Sequence, residues 1–190
     1  AFFVAAGLTT AGALLGLVRP AGGARETGVG LVLLALWLWR FDIARRTIRL
    51  PGLSRFIATC LLSGYFWLAV SGLLSLLFGA PDLGPAYDAI LHALFVGFVV
   101  SMIFGHAPII LPAVLGLPLA FSKRFYLHLA LLHLSLLVRI VGDLAGAAEL
   151  RRWGGLLNVG AIAIFLPSTV LAIRRARRLE IEQKVPEGRI

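Results

Sequence analysis

Residues 87–115 read YDAILHALFVGFVVSMIFGHAPIILPAVL, an apolar run long enough to cross a bilayer and carrying His92 and His106 within it. A hydrocarbon core about 30 Å thick needs roughly 20 residues of helix, so this stretch alone predicts a transmembrane span. A helix turns about 100° per residue, which brings the second imidazole to within about 40° of the first and roughly 21 Å further along the axis. Both histidines are therefore expected on one face, at two membrane depths. Phe95, Val99, Met102 and Ile103 share that face, while Ala93, Gly97, Ser101 and Gly105 form a small-residue stripe behind it, where another helix can pack closely.

The rest of the chain agrees with that reading. Of its 190 residues, 59% are apolar and 14% charged, with a mean hydropathy of +0.94, the composition of an integral membrane protein. Hydropathy suggests six spans, approximately at 2–18, 28–46, 56–79, 86–113, 125–146 and 154–173. The backbone of each must satisfy its own hydrogen bonds in lipid, which predicts an all-α, polytopic bundle over 1–173 and a basic cytoplasmic tail over 174–190. Arg40 and Asp42 interrupt the second span, either pairing one turn apart or snorkelling to the interface. Pro20-Ala21-Gly22-Gly23, Pro51-Gly52, Pro81 with Pro85, and Gly116-Leu117-Pro118 read as breakers between spans. The apolar start at Ala1, without an initiator Met, suggests a chain that begins partway into a longer polypeptide.

The net charge of +9 is distributed as a membrane protein distributes it rather than as a nucleic-acid binder does. Thirteen Lys and Arg lie in the second and fourth connectors and the tail, against four in the other three connectors. That bias predicts both termini in the cytoplasm and basic connectors against anionic lipid; the expected setting, a bacterial or archaeal inner membrane with other membrane or respiratory subunits as partners, does not follow from the charge. The tail, IRRARRLEIEQKVPEGRI, is expected to extend as a short helix on anionic lipid before a disordered end. The single Cys60 excludes a disulfide framework and a Cys-based metal site within the chain. No Ser-His-Asp arrangement or phosphate-cradling glycine loop is present, so no catalytic residue is assigned.

Ionisable groups at membrane depth are expensive and usually face a bundle interior or a bound group. After His92 and His106 come His128 and His133 in the fifth span, and then Arg139 and Asp143. His128, Ser135, Arg139 and Asp143 fall within about 80° of one another on a helix, while His133 lies about 140° away from His128. His106 and His128 are matched in depth, roughly 6 to 10 Å from one membrane surface, and a kink at Pro108 favours His133 instead. Two imidazoles between apolar walls are what a six-coordinate b-type haem requires, which makes haem b the expected cofactor and His106 with His128 or His133 its expected ligands. Arg139 lies near the depth of His92 and is a charge partner for a second group there. His92, His106 and Asp88 are the candidate metal ligands, with Asp88 one turn before His92 and copper the alternative cofactor. The plain structural readings are a histidine bonded to a neighbouring helix and an Arg139–Asp143 pair one turn apart.

Gly64-Tyr65-Phe66-Trp67-Leu68 with Gly72-Leu73-Leu74, His92-Ala93-Leu94 with Gly97 and Met102, Gly105-His106, and the LLVRI run ending in Arg139 and Ile140 resemble, in that order, the C-terminal half of the NnrS family of polytopic bacterial membrane proteins. The resemblance covers roughly residues 40–166. It implies a haem- and copper-containing membrane protein of denitrification and nitric-oxide stress, with His92 and His106 as the matched ligands. Two departures stand out: Leu62 occupies a position where that family commonly has histidine, and Gly105-His106-Ala107-Pro108-Ile109 replaces a Gly-His-Thr-Gly-Arg-like run. The resulting expectation is a haem-bearing subunit of electron transfer or stress response rather than a stand-alone catalyst. The alternatives are a cofactor-free anchor or assembly subunit of a respiratory complex, and a copper-handling protein.

Overall fold

The computed structural model describes residues 1–81 and 83–184. Among them it is helical throughout, with no strand: α1 (Phe2–Leu15), α2 (Pro20–Phe41), α3 (Ala44–Thr47), α4 (Leu53–Phe78), α5 (Pro85–Leu91), a π-helical segment (His92–Val99), α6 (Val100–Leu115), α7 (Phe125–Leu144) and α8 (Ala148–Lys184). Five helical stretches are long and apolar enough to span a membrane, α5 through α6 counting as one, and α1 is a shorter apolar helix. This is the helical membrane bundle the hydropathy predicts.

Element boundaries differ from the hydropathic ones for physical reasons. The second span begins at Pro20 rather than near residue 28, because Pro20 sits at the first helical position, where its fixed φ and missing N–H cost nothing. Gly22 and Gly23 are thus inside α2 and do not break it. A Cβ at Gly23 would run into Gly16 and the Gly12 carbonyl, so the glycine lets α1 and α2 close into a tight hairpin. The same helix stops at Phe41. Asp42 neither pairs with Arg40 nor continues α2; it caps the end of α2, and its Oδ1 accepts the Ala44 N–H at 2.7 Å in the turn that leads into α3. Arg40 lies over the Phe41 ring at 5.2 Å. The sixth span, α8, extends past both limits of its apolar stretch, so the helical extension expected after residue 173 is present to Lys184, while the tail's expected disordered end lies outside the described residues.

α4 is the centre of the bundle: α2 packs on one side, and α5, the π segment and α6 on another, with α7 beyond them and α8 laid along α7. Close approach is achieved with small residues, as lipid offers no hydrophobic drive between helices. Gly28 meets Gly72 between α2 and α4, and Gly97 seats the Trp67 side chain. Ala93, Gly97, Ser101 and Gly105 are all buried, as the helical spacing predicts. The core has two main layers beside a third cluster of Leu31, Ala35 and Leu68 between α2 and α4. Phe56, Cys60, Phe104, Phe125, Leu129, Leu132 and Ala161 fill one half of the depth, and Trp67, Leu74, Ala89, Ala93, Leu136 and Ile140 the other.

Candidate functional site

The polar stripe of α7 is the best-resolved feature of the sequence in three dimensions. His128, Ser135 and Asp143 are almost fully buried, and the Arg139 side chain is 17% exposed. The lower and middle part of that stripe faces α8. Ser135 Oγ donates to Asn158 Oδ1 at 2.5 Å, a contact permitted because Gly154 brings α8 against the Arg139 backbone.

At the end of the bundle formed by the α7–α8 turn, four charges meet. Arg151 Nη2 lies 2.9 Å from Asp88 Oδ2 and its Nε 2.6 Å from Asp143 Oδ1. Arg139 Nη2 lies 3.5 Å from Asp88 Oδ2 and its Nε 4.0 Å from Asp143 Oδ2. Arg139 Nη1 also donates to the Arg151 carbonyl at 3.1 Å. Two cations and two anions balance, so the group ties α5, α7 and α8 together without a net charge to attract an ion. Arg139 and Asp143 do approach one turn apart, as the sequence suggests. Arg151, in a connector by hydropathy, is the member that sequence reasoning missed, because its role depends on the helix start preceding the apolar stretch.

Each histidine has a distinct environment. His128 stands in a box of Phe104, Phe165, Phe125 and Phe56, with ring centroids at 4.6, 5.4, 5.8 and 6.1 Å. Neither of its nitrogens has a hydrogen-bond partner among the described residues, and both are closed off. In this packing the four phenyl rings occupy the space around His128. The inward residue of α6 that meets it is Phe104, while His106, two positions on, points outward and is exposed, so the structure does not bring together the depth-matched pair His106 and His128. His133 lines an apolar groove of about 610 Å³ with Trp39, Phe66, Trp67 and Leu137. Trp67 donates its indole N–H to His133 Nδ1 at 2.9 Å.

His92 and His106 share a different arrangement. His92 Nδ1 lies 2.8 Å from the Asp88 carbonyl, and His106 Nδ1 lies 2.7 Å from the Met102 carbonyl. A carbonyl can only accept, so each Nδ1 carries the proton and each neutral ring keeps its lone pair on Nε2. This is the orientation in which imidazole ligates a metal, the other nitrogen being held by a backbone oxygen. Phe95, Val99 and Ile103, between them in sequence, are all exposed to the surroundings of the bundle. His92 touches Asp88 through the backbone carbonyl only, because the Asp88 carboxylate is turned to the two arginines. His92, His106 and Asp88 therefore do not gather, and among the described residues no three His, Cys, Asp or Glu side chains form a metal-sized cluster.

These features define a multi-pass helical membrane protein in which a charge network ties α5, α7 and α8 together and the imidazoles of His92 and His106 stand outside that network. The chain belongs to the family described as a domain of unknown function, DUF8744, which matches residues 1–174. Nothing matches among the curated proteins, and nothing among the solved structures.

Proposed function

We propose that the chain is a haem-b-binding membrane subunit of electron transfer or of a nitric-oxide or respiratory stress response, with His92 and His106 as the ligands it contributes. The observation that carries this reading is the pair of Nε2 lone pairs, each oriented by a bond from Nδ1 to the carbonyl four residues earlier, with His92 half-buried and His106 exposed. An imidazole exposed at membrane depth is costly unless a bound group or another protein covers it. Haem, when bound, would supply one-electron chemistry; His92 and His106 would each offer it a ring nitrogen, with Phe95, Val99 and Ile103 as nearby apolar surface. His128 is enclosed by phenyl rings and His133 is bonded to Trp67, so a haem held at His92 or His106 would take any further protein ligand from outside the described residues. The NnrS resemblance at His92 and Gly105-His106 supports the nitrogen-oxide context and a bacterial or archaeal inner membrane, and the basic connectors support an orientation with both termini cytoplasmic.

A cofactor-free anchor or assembly subunit is the second reading, favoured by the structural use of His128 and His133. Copper handling would use the same two nitrogens but loses Asp88 to Arg139 and Arg151. A reduced-minus-oxidised spectrum with a pyridine haemochrome count, on purified wild type, His92→Ala and His106→Ala, separates the three. A b-type signal that falls in either variant is expected. Stoichiometric copper without haem would move the assignment to copper handling, and neither cofactor would leave the anchor.

A further inference from the structure

Where α6 ends and α7 begins, residues 116–124 fold back onto α8, with the Ala120 N–H donating to the Ala172 carbonyl at 3.3 Å. Between the two elements lies a cavity of about 250 Å³. Arg124 and Ser122 line it from the connector, Arg175 and Ser168 from α8, and Phe125 and Leu171 form its apolar wall. Residues far apart in sequence thus converge two guanidinium groups and two hydroxyls on one space. Among the described residues neither guanidinium meets a carboxylate, since every ion pair found involves Arg139 or Arg151. The first turn of α7 carries no acidic side chain either, so the positive end of that helix is not neutralised.

The chemistry of this set is that of phosphate recognition: planar guanidinium forks match phosphate oxygens, and hydroxyls donate to the remainder. Position identifies the source of the phosphate. Leu171 and Ala172 belong to the last apolar turns of α8, and Arg174, Arg175, Arg177 and Arg178 follow at once, which puts the cavity at head-group level. A soluble phosphate would satisfy the four polar groups but would gain nothing from the apolar wall. We infer that this cavity binds the phosphodiester of an anionic membrane lipid, gripped by Arg124 and Arg175, with the lipid's glycerol and first acyl carbons against Leu171.

The test uses the full chain in detergent and counts retained lipid by native mass spectrometry after addition of phosphatidylglycerol or phosphatidylcholine. One phosphatidylglycerol is expected to be retained in preference to phosphatidylcholine. R124Q/R175Q should weaken its binding about tenfold or more, whereas R174Q/R178Q, with the same loss of charge outside the cavity, should change it less than about threefold. S168W fills the cavity without changing charge and should release the lipid while helical content by circular dichroism is kept. Equal losses in the two double variants, or lipid retained by S168W, would overturn the site in favour of diffuse attraction. Displacement of the lipid by millimolar inorganic phosphate would overturn the lipid as its ligand.

Discussion

Trp67 in α4 donates its indole N–H to Nδ1 of His133 in α7 at 2.9 Å, and this bond fixes the chemistry left to the histidine. Indole is a donor only, so Nδ1 must be unprotonated and the neutral ring carries its hydrogen on Nε2. A nitrogen bearing hydrogen is not a metal ligand. The bond is instead one of few direct links between the central helix and α7, and its rings are stacked at 20°. Trp67→Phe and His133→Leu should each lower stability by about 1–3 kcal/mol, because each leaves a partner unpaired. The double variant should lose less than the sum, giving a coupling energy of about 1 kcal/mol in a thermal or SDS unfolding cycle. Strict additivity would show that the bond contributes nothing.

The charge network predicts a steep difference between adjacent arginines. Asp143 has a fully buried side chain, with Arg151 Nε at 2.6 Å and Arg139 Nε only at 4.0 Å. Arg151→Met strands that carboxylate and should cost about 2 kcal/mol or more. Arg152, the next residue, is exposed, and Arg152→Met should stay within about 0.5 kcal/mol. Unfolding of both variants in the same detergent decides the matter, and equal losses would make the network a surface feature.

The distribution of legible and illegible features follows from what periodicity can carry. The α7 stripe was readable because a regular helix repeats every 3.6 residues, and His128, Ser135 and Asp143 are buried as that repeat requires. The relation between His92 and His106 was harder, since His92–Val99 is π-helical. Its i→i+5 bonds turn the chain less per residue than an α-helix, and an all-apolar segment gives no signal of the change. His92 is half-buried and His106 exposed, rather than equivalent on one face. Partners were also illegible. Asn158 and Arg151 come from α8, and nothing local in α7 names them, although a lone amide within an apolar span is itself a signal of a bond across helices.

Two glycines of α8 separate close packing from simple helix propensity. A Cβ at Gly154 would lie 2.6 Å from the Arg139 backbone nitrogen, whereas at Gly160 it would meet nothing within 4 Å. Gly160→Ala should therefore leave stability unchanged or raise it by up to about 1 kcal/mol. Gly154→Ala must push α8 from α7, stretching Ser135–Asn158 and the Arg139–Arg151 carbonyl bond, and should cost about 1–3 kcal/mol. Thermal unfolding of the two variants in one detergent gives the comparison, and a neutral Gly154→Ala would mean that the helices have slack at this level.

His128 gives the sharpest separation between a packing role and a ligand role. Four phenyl rings surround it and neither nitrogen has a described partner, so the imidazole pays for burial with no more than weak contacts to the ring faces. Replacing such a group by an apolar one of similar volume is neutral to stabilising, so His128→Leu should leave stability unchanged or raise it by up to about 2 kcal/mol, read from its unfolding transition. The same variant should retain any haem bound through His92 or His106, because neither ring touches this box. Loss of the b-type spectrum in His128→Leu, with the fold intact by circular dichroism, would make His128 an axial ligand and require Phe104 to swing aside. Retained spectrum with raised stability would make it a core residue and leave the outward face as the place where iron is held.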